Sequence, residues 1–213
     1  MPDAFSHFDL AAMPRPDAYK LLASLIMPRP IAWIVSRDPA GSLNAAPFSF
    51  FNILSSDPPL VAVSFASASD REGKDTLANI RQHADFVINM VPEELATEMN
   101  LTAINAPRGT DETRLAGLDL APSTLVDVPR IAASPIGFEC RLFQLIEPGG
   151  SSVIAIARIL YAHVRTDSFS NLERLHIDPH KLRLIGRMHG AGGYCRTTDL
   201  FTIDRKSWPL DQK

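Results

Sequence analysis

Two long runs of alternating side chains, Ile136 to Ile146 and Ser152 to Arg165, do most to limit what this chain can fold into. In the first, Ile136, Phe138, Cys140 and Leu142 alternate with Gly137, Glu139 and Arg141; in the second, Ile154, Ile156 and Arg158 alternate with Ala155, Ala157 and Ile159. A period of two sends successive side chains to opposite faces of a strand. Glu147-Pro148-Gly149-Gly150 supplies turn residues between them, so the pair is expected to form an antiparallel hairpin. Both strands are too long for a parallel α/β unit.

The remaining segments fit around that hairpin. Residues 1–16 contain Pro2, Pro14 and Pro16 and suit an arm whose Phe5 and Phe8 want cover. Asp17 caps a predicted helix through Ser24 that turns Leu21, Leu22 and Leu25 inward before Pro28 and Pro30. Three apolar runs (Ile31 to Val35, Pro47 to Leu54, Leu60 to Ala66) then read as strands separated by Asp38 to Gly41 and Ser55 to Pro59. Lys74-Asp75-Thr76 opens a helix that buries Leu77, Ile80 and Ala84, a strand follows at Asp85 to Val91, and Pro92-Glu93-Glu94 starts a second helix with Leu95 and Met99 inward. Asn105 to Ser134 is an ordered excursion with a helical turn near Glu112 to Ala116, and Asp167 to Lys181 is a polar connection compatible with helical turns. A glycine-rich run from Gly186 to Tyr194 precedes a last predicted strand through Phe201 and Ile203. Seven or eight strands against two or three helices imply a mainly β fold, a closed antiparallel barrel with helices flanking it.

With 213 residues, 46% hydrophobic, the expectation is one domain spanning 1–213, with a core from about residue 19 to 204. A net charge of -3 offers no surplus for nucleic acid, although a local basic pocket for one phosphate is compatible with it. Cys140 and Cys195 lack CxxC spacing and read as reduced thiols in the core. The N-terminus has no signal-like apolar region, and no run approaches the roughly 18 residues of a membrane span. A soluble, cytoplasmic protein is expected.

The familiar catalytic motifs are missing: Gly-x-Ser-x-Gly, the P-loop and His-Glu-x-x-His do not occur. His176 and His180 have helical metal-ligand spacing, but Pro179 between them breaks such a helix, so no metal site is expected. The glycine-rich run does not follow a dinucleotide fingerprint; it is either a hairpin or a close backbone approach to a planar ligand.

Arg29 to Thr76 is the densest concentration of small, hydroxyl, amide and basic groups. Lys74 with Thr76 at a helix start supplies a cation, a hydroxyl and free amides for a phosphate, unless Lys74 is an ordinary solvated lysine. Asn44-Ala45-Ala46-Pro47-Phe48-Ser49-Phe50-Phe51-Asn52 leaves one backbone edge short of its hydrogen-bond ladder. It is either an edge strand with Phe48 and Phe50 in the core or one wall of a site for a heteroaromatic ring.

These residues, with Arg29-Pro30-Ile31-Ala32-Trp33-Ile34-Val35-Ser36, Asp57-Pro58-Pro59, Asn79-Ile80, Phe86-Val87-Ile88-Asn89, Ser134-Pro135, Glu139-Cys140, Gly186-Arg187 and Gly193-Tyr194, resemble the flavin reductase-like family in order along the chain. The resemblance implies an FMN-binding split barrel of antiparallel Greek-key type, with FMN near a homodimer interface. By the same motifs it implies cofactor contacts from Asn44, Ala45, Ala46, Pro47, Phe48, Ser49, Phe50, Asn52 and Ser64, with Lys74, Asp75 and Thr76 toward the phosphate and Arg187 and Tyr194 approaching the flavin or nicotinamide. His163 and His189 are candidates for the nicotinamide side, each equally open to a packing role.

The implied activity is hydride transfer from NAD(P)H to FMN, which needs no acid-base triad because the cofactor performs the chemistry. A reduced flavin that leaves implies a partner monooxygenase. The alternatives are an FMN carrier or redox sensor without reductase activity, and an oxidase or oxygenase acting on its own small substrate.

Overall fold

The computed structural model describes residues 4–66, 75–190, 192–206 and 208. Helix α1 (Arg15–Leu25) is followed by strands β1 (Ala32–Arg37), β2 (Leu43–Phe48), β3 (Phe51–Ser56) and β4 (Pro59–Ala66). Helix α2 (Asp75–His83) and strand β5 (Asp85–Asn89) come next, then a 3-10 turn (Glu93–Leu95) leading into α3 (Ala96–Leu101). The excursion holds α4 (Glu112–Leu115) and the short pair β6 (Leu120–Ala121) and β7 (Arg130–Ile131). The predicted long strands are β8 (Ile136–Ile146) and β9 (Ser152–Val164). After them come β10 (Phe169–Asn171), β11 (His176–Ile177), α5 (Pro179–Leu182), β12 (Ile185–Arg187) and β13 (Tyr194–Arg196).

Seven strands form one antiparallel sheet in the order β2-β1-β5-β8-β9-β4-β3. The length of β8 and β9 is what allows this. One half of β8 pairs with β5, whereas the opposite half of the hairpin, through β9, pairs with β4. The two strands that end the hydrogen-bonded order, β2 and β3, are consecutive in the chain and separated only by Ser49 and Phe50. The sheet therefore returns on itself through one bent segment. The expected single strand from Pro47 to Leu54 is thus two strands, and the bend between them is what turns a sheet into a barrel.

The barrel interior is filled by alternate residues, among them Ile34, Val61, Val63, Phe65, Phe86, Ile88, Cys140, Ala155 and Ala157, with Leu77 and Ile80 of α2 closing it. Burial pushes the Cys140 thiol pKa well up, which leaves it inert, and both cysteines are free. A second apolar layer, including Trp33, Val87, Met99, Val126 and Ile131, lies under α3 and the excursion.

Several expectations are corrected. Helix α1 begins at Arg15 after Pro14, so Asp17 lies in its first turn, and Leu22 and Leu25 are exposed instead of inward. Ala84 follows α2 with a positive φ of 59° and ends the helix, so it is not part of the buried stripe. Phe201 and Ile203 belong to no strand and are 85% and 80% exposed. Phe5 and Phe8 are exposed as well.

Glu139 overturns the alternation most clearly, because it is fully buried. Its carboxylate accepts the backbone N–H groups of Thr124 (2.6 Å), Leu125 (2.6 Å) and Val126 (3.1 Å), and contacts His163 Nε2 at 2.6 Å. The excursion folds over this outer face of β8, and a buried carboxylate is tolerated there because it satisfies three amides that would otherwise be orphaned. Burial raises its pKa, but the donors outweigh burial, led by the Thr124 amide and the His163 ring, and hold it below the ordinary value.

Candidate functional site

Strand β2 is hydrogen-bonded to β1 on one side and ends the sheet order on the other. Its open edge is taken up by α4, whose first residue, Glu112, is 4% exposed. Asp111 caps α4 by accepting the amides of Thr113 and Arg114, and this fixes where Glu112 points. Glu112 Oε2 accepts Asn44 Nδ2 (2.9 Å) and the Ala45 N–H (3.2 Å). Asn44 Oδ1 in turn accepts the hydroxyls of Thr76 (2.6 Å) and Ser36 (3.4 Å), and Asn79 Nδ2 donates to Ser36 Oγ (3.1 Å). Every polar atom of the Asn44 side chain is therefore committed. Burial pushes the Glu112 carboxyl above its usual range, and nearby Asp75 adds to the shift, although the amide donors pull the other way.

This network forms one wall of a cavity of about 280 Å³. Asn44, Ala46, Pro47, Phe48, Ser49 and Phe50 line it from the bent segment, Ser64 and Ala66 from β4, Asp75 and Thr76 from the start of α2, and Ser152 from β9. Tyr19, Thr102 to Ala106 and Glu112 complete it. The Phe48 ring meets Phe65 edge-on at 4.7 Å, so Phe48 serves both the core and the cavity. Phe50 does not enter the core; it is 39% exposed, stacks on Tyr19 at 5.8 Å and lies under the Arg29 guanidinium at 5.7 Å.

Arg29 ties this rim to the β12–β13 hairpin. Its guanidinium donates to the carbonyls of Ala23, Ile26 and Met188 and to Ser49 Oγ, and its backbone pairs with Arg187. With no carboxylate among the described residues to pair with it, this buried cation is stabilised by carbonyls at the C-terminal end of α1, where the helix dipole is negative. Burial lowers its pKa from the usual arginine value.

Most of the residues picked out by sequence converge on this cavity, but not all. Ala45 points the other way into the second apolar layer and contributes only its amide, to Glu112. Asn52 lies on β3 outside the cavity, with its side chain accepting from the next amide, Ile53 N–H. Arg187 and Tyr194 stack on each other at 4.8 Å in the hairpin behind Arg29 and do not line the cavity. Lys74 lies outside the described residues. His189 is exposed at the hairpin tip, and His163 is occupied by Glu139. Ser152 and His163 are eleven positions apart on β9, about 36 Å along a strand, so His163 does not reach this chain's cavity.

Tyr19, Ala66, Thr102 to Ala106, Glu112 and Ser152 carry no local sequence signal for the site. A smaller cavity of about 210 Å³, with Asn79, Gln82 and Arg108 in its wall, adjoins the first at Asn44 and Asp75. Arg108 Nε lies 3.1 Å from Asp75 Oδ1. Among the described residues no group of three or more His, Cys, Asp or Glu could hold a metal; His176 is in β11 and His180 in α5.

The lining combines aromatic faces from Tyr19, Phe48 and Phe50 with room left by Ala46 and Ala66. Hydroxyl and amide groups stand at its margin. That chemistry fits a planar heteroaromatic ring carrying a polar chain.

Comparison with known proteins gives the same direction. A family model described as flavin reductase like domain matches residues 23–185. The chain is similar to the crystal structure of 2-nitrobenzoate 2-nitroreductase NbaA from Pseudomonas fluorescens, 33% identical with a TM-score of 0.86 over 95% of this chain and 98% of that one. It is likewise similar to nitrilotriacetate monooxygenase component B from Bacillus cereus, 30% identical with a TM-score of 0.88 over 94% of this chain and all of that one. At 18% identity and a TM-score of 0.80, a split barrel domain protein from Shewanella frigidimarina, covering 94% of this chain and 100% of its own, shares the fold.

Proposed function

The chain belongs to the flavin reductase like domain family, and on that premise we propose that it is an NAD(P)H-dependent FMN reductase. The observation that carries this reading is the convergence of the Asn44 to Phe50 segment, Ser64 and the start of α2 on one cavity. Asn44, Ala46, Ser49, Phe50 and Ser64 would hold the ring and its chain, and Thr76 with the backbone amides at the start of α2, and Lys74 preceding them in sequence, the phosphate end, Asp75 serving there through its backbone and not its carboxylate. FMN, when bound, supplies the capacity to accept a hydride from the nicotinamide. The protein's own part is to bind and orient: Tyr19, Phe48 and Phe50 shield the ring from water, and the committed side chain of Asn44 gives the wall a fixed polarity.

A second copy of the chain completes the site in this reading. Support comes from the exposed Leu22, Leu25, Ile26 and Met27, which stand on the same helix and turn as the cavity residue Tyr19. No helix among the described residues is long and apolar enough to cross a membrane. The reduced nicotinamide as electron source and two free thiols favour a cytoplasmic setting.

Nitrilotriacetate monooxygenase component B favours release of reduced flavin to a partner monooxygenase. NbaA favours a second reading, in which the flavin stays and a nitroaromatic acid is reduced on this protein. Anaerobic mixing of the FMN-loaded protein with NADH and with NADPH tests the shared step: bleaching of the flavin absorbance is expected. Failure of both nucleotides to bleach it would leave a carrier or sensor, and failure to take up FMN would reject the site. Admitting 2-nitrobenzoate or an acceptor monooxygenase then separates the two readings by which of them reoxidises the flavin.

A further inference from the structure

Among the described residues Glu112 is the one buried carboxylate in the cavity wall, and no cation among them pairs with it. Its neighbours explain what it does. From β2 it receives the Asn44 amide and the Ala45 N–H, which are otherwise donors on an open strand edge. From α2 it faces Asp75, itself paired with Arg108, and among the described residues Asp75 is the charge that acts on it, with the same sign. From its own helix, Asp111 is engaged by the amides of Thr113 and Arg114 and by the Arg114 guanidinium (3.3 Å). Thr76, Ser36 and Asn79, which complete the network, are uncharged.

We propose that Glu112 is a positioning and potential-setting residue of the flavin site: it fixes Asn44 and the β2 edge in the cavity wall, and its charge makes the bound flavin harder to reduce. The inference rests on the reading of this cavity as the FMN site.

The first half follows from connectivity. With Nδ2 held by Glu112 and Oδ1 held by Thr76, the Asn44 amide has a single orientation, and the Ala45 amide is drawn outward from β2. A ring laid against this wall meets a preformed surface. The second half follows from charge. Two-electron reduction of a flavin with uptake of one proton leaves the ring negative. A carboxylate in the same water-poor wall opposes that change more strongly than it would in bulk water. The reduced cofactor is then the stronger donor, which suits a protein that passes electrons on.

Two substitutions separate the halves. Glu112→Gln keeps an acceptor for Asn44 and Ala45 and removes the charge. It should weaken binding of oxidised FMN less than Glu112→Ala does while raising the reduction potential at pH 8, measured against reference dyes, by about 30 mV, equivalent to a tenfold relative gain in affinity for reduced flavin. Glu112→Ala removes acceptor and charge and should weaken binding of oxidised FMN about tenfold or more by titration of fluorescence quenching. An unchanged potential in Glu112→Gln overturns the electrostatic half, and undiminished FMN affinity in Glu112→Ala overturns the positioning half. If Glu112→Ala fails to fold, the positioning half is decided by Glu112→Leu with the same titration in the presence of stabilising salt, and the Gln potential stands independently. A parent protein that takes up no FMN rejects the site itself; one that binds FMN with a potential indifferent to Glu112→Gln rejects only this inference.

Discussion

Replacing Glu139 by Gln tests how the excursion is fastened to the barrel. In the native protein one carboxylate serves four donors, Thr124, Leu125 and Val126 N–H and His163 Nε2. A carboxamide can accept at one oxygen only; its NH2 group must face donors on the other side. The better orientation turns the NH2 toward Thr124 and His163, because the imidazole can change tautomer and accept, which leaves the Thr124 N–H without a partner. The Thr124 N–H is partly buried, so leaving it unsatisfied costs about 1 kcal/mol, the low end for a buried donor, and hydrogen bonds to Leu125 and Val126 that lose their ionised acceptor each weaken by about 1 kcal/mol. The sum is about 3 kcal/mol, a large share of the roughly 5–15 kcal/mol that holds a typical domain. At about 2–4 °C per kcal/mol for a chain of this size, the melting temperature should fall by about 6–12 °C.

The pH dependence gives the sharper test. Glu139 has its folded pKa depressed, so its contribution is fully present above the unfolded carboxyl value, near 4.3, and is lost as pH falls through the folded value. Urea unfolding of parent and variant at equal protein concentration should show the full gap at pH 7 and a narrowing gap below about pH 4, where the parent's own carboxyl becomes protonated. A gap under about 1 kcal/mol at pH 7, below the cost of even one unsatisfied donor, would refute the reasoning, as would one that persists undiminished in acid.

Gly186→Ala places a Cβ 2.9 Å from Pro28 Cβ and 3.0 Å from Cys195 Sγ, so the β12–β13 hairpin should separate from the Arg29 segment at a cost of about 1–3 kcal/mol, read as lowered melting temperature and faster amide exchange at Arg187. Trp33→Phe removes the buried Nε1–H donated to Thr102 Oγ1 (2.9 Å) and opens space under α3; a loss of about 1–3 kcal/mol is expected by denaturant titration followed by circular dichroism. Thr76→Val keeps the shape but withdraws the hydroxyl from Asn44 Oδ1, so FMN affinity should fall about fivefold, roughly 1 kcal/mol, by calorimetric titration with little change in fold.

Local pattern was enough for the elements whose forces are local. Strands β8 and β9 came out within a residue of their expected ends, because alternation and a glycine-bearing hairpin act between near neighbours. Helix α2 was legible from its apolar spacing, and the capped turn at α4 lay where Glu112 to Ala116 suggested it. The bent segment from Asn44 to Phe50 stood out because its small residues and proline depart from an ordinary strand, although sequence left open whether it is an edge strand or one wall of a site.

Tertiary structure decided what depends on residues far apart in the chain. Alternation assigned Glu139 to an outer face; only the excursion folding over that face made it a buried acceptor. Asn44 and Glu112 are 68 positions apart, and nothing near Glu112 in sequence distinguishes it from a solvated acid at a helix start. Tyr19 reaches the cavity because Arg29 anchors the end of α1 against the rim. The final predicted strand failed for the converse reason: Phe201 and Ile203 have strand-forming side chains, yet no described strand pairs with them and both are left exposed. Sequence thus determined which segments extend and which coil, since those preferences are settled within a few residues. Closure of the barrel at Ser49 and Phe50, and with it the cavity, depended on pairings that exist only once distant strands have met.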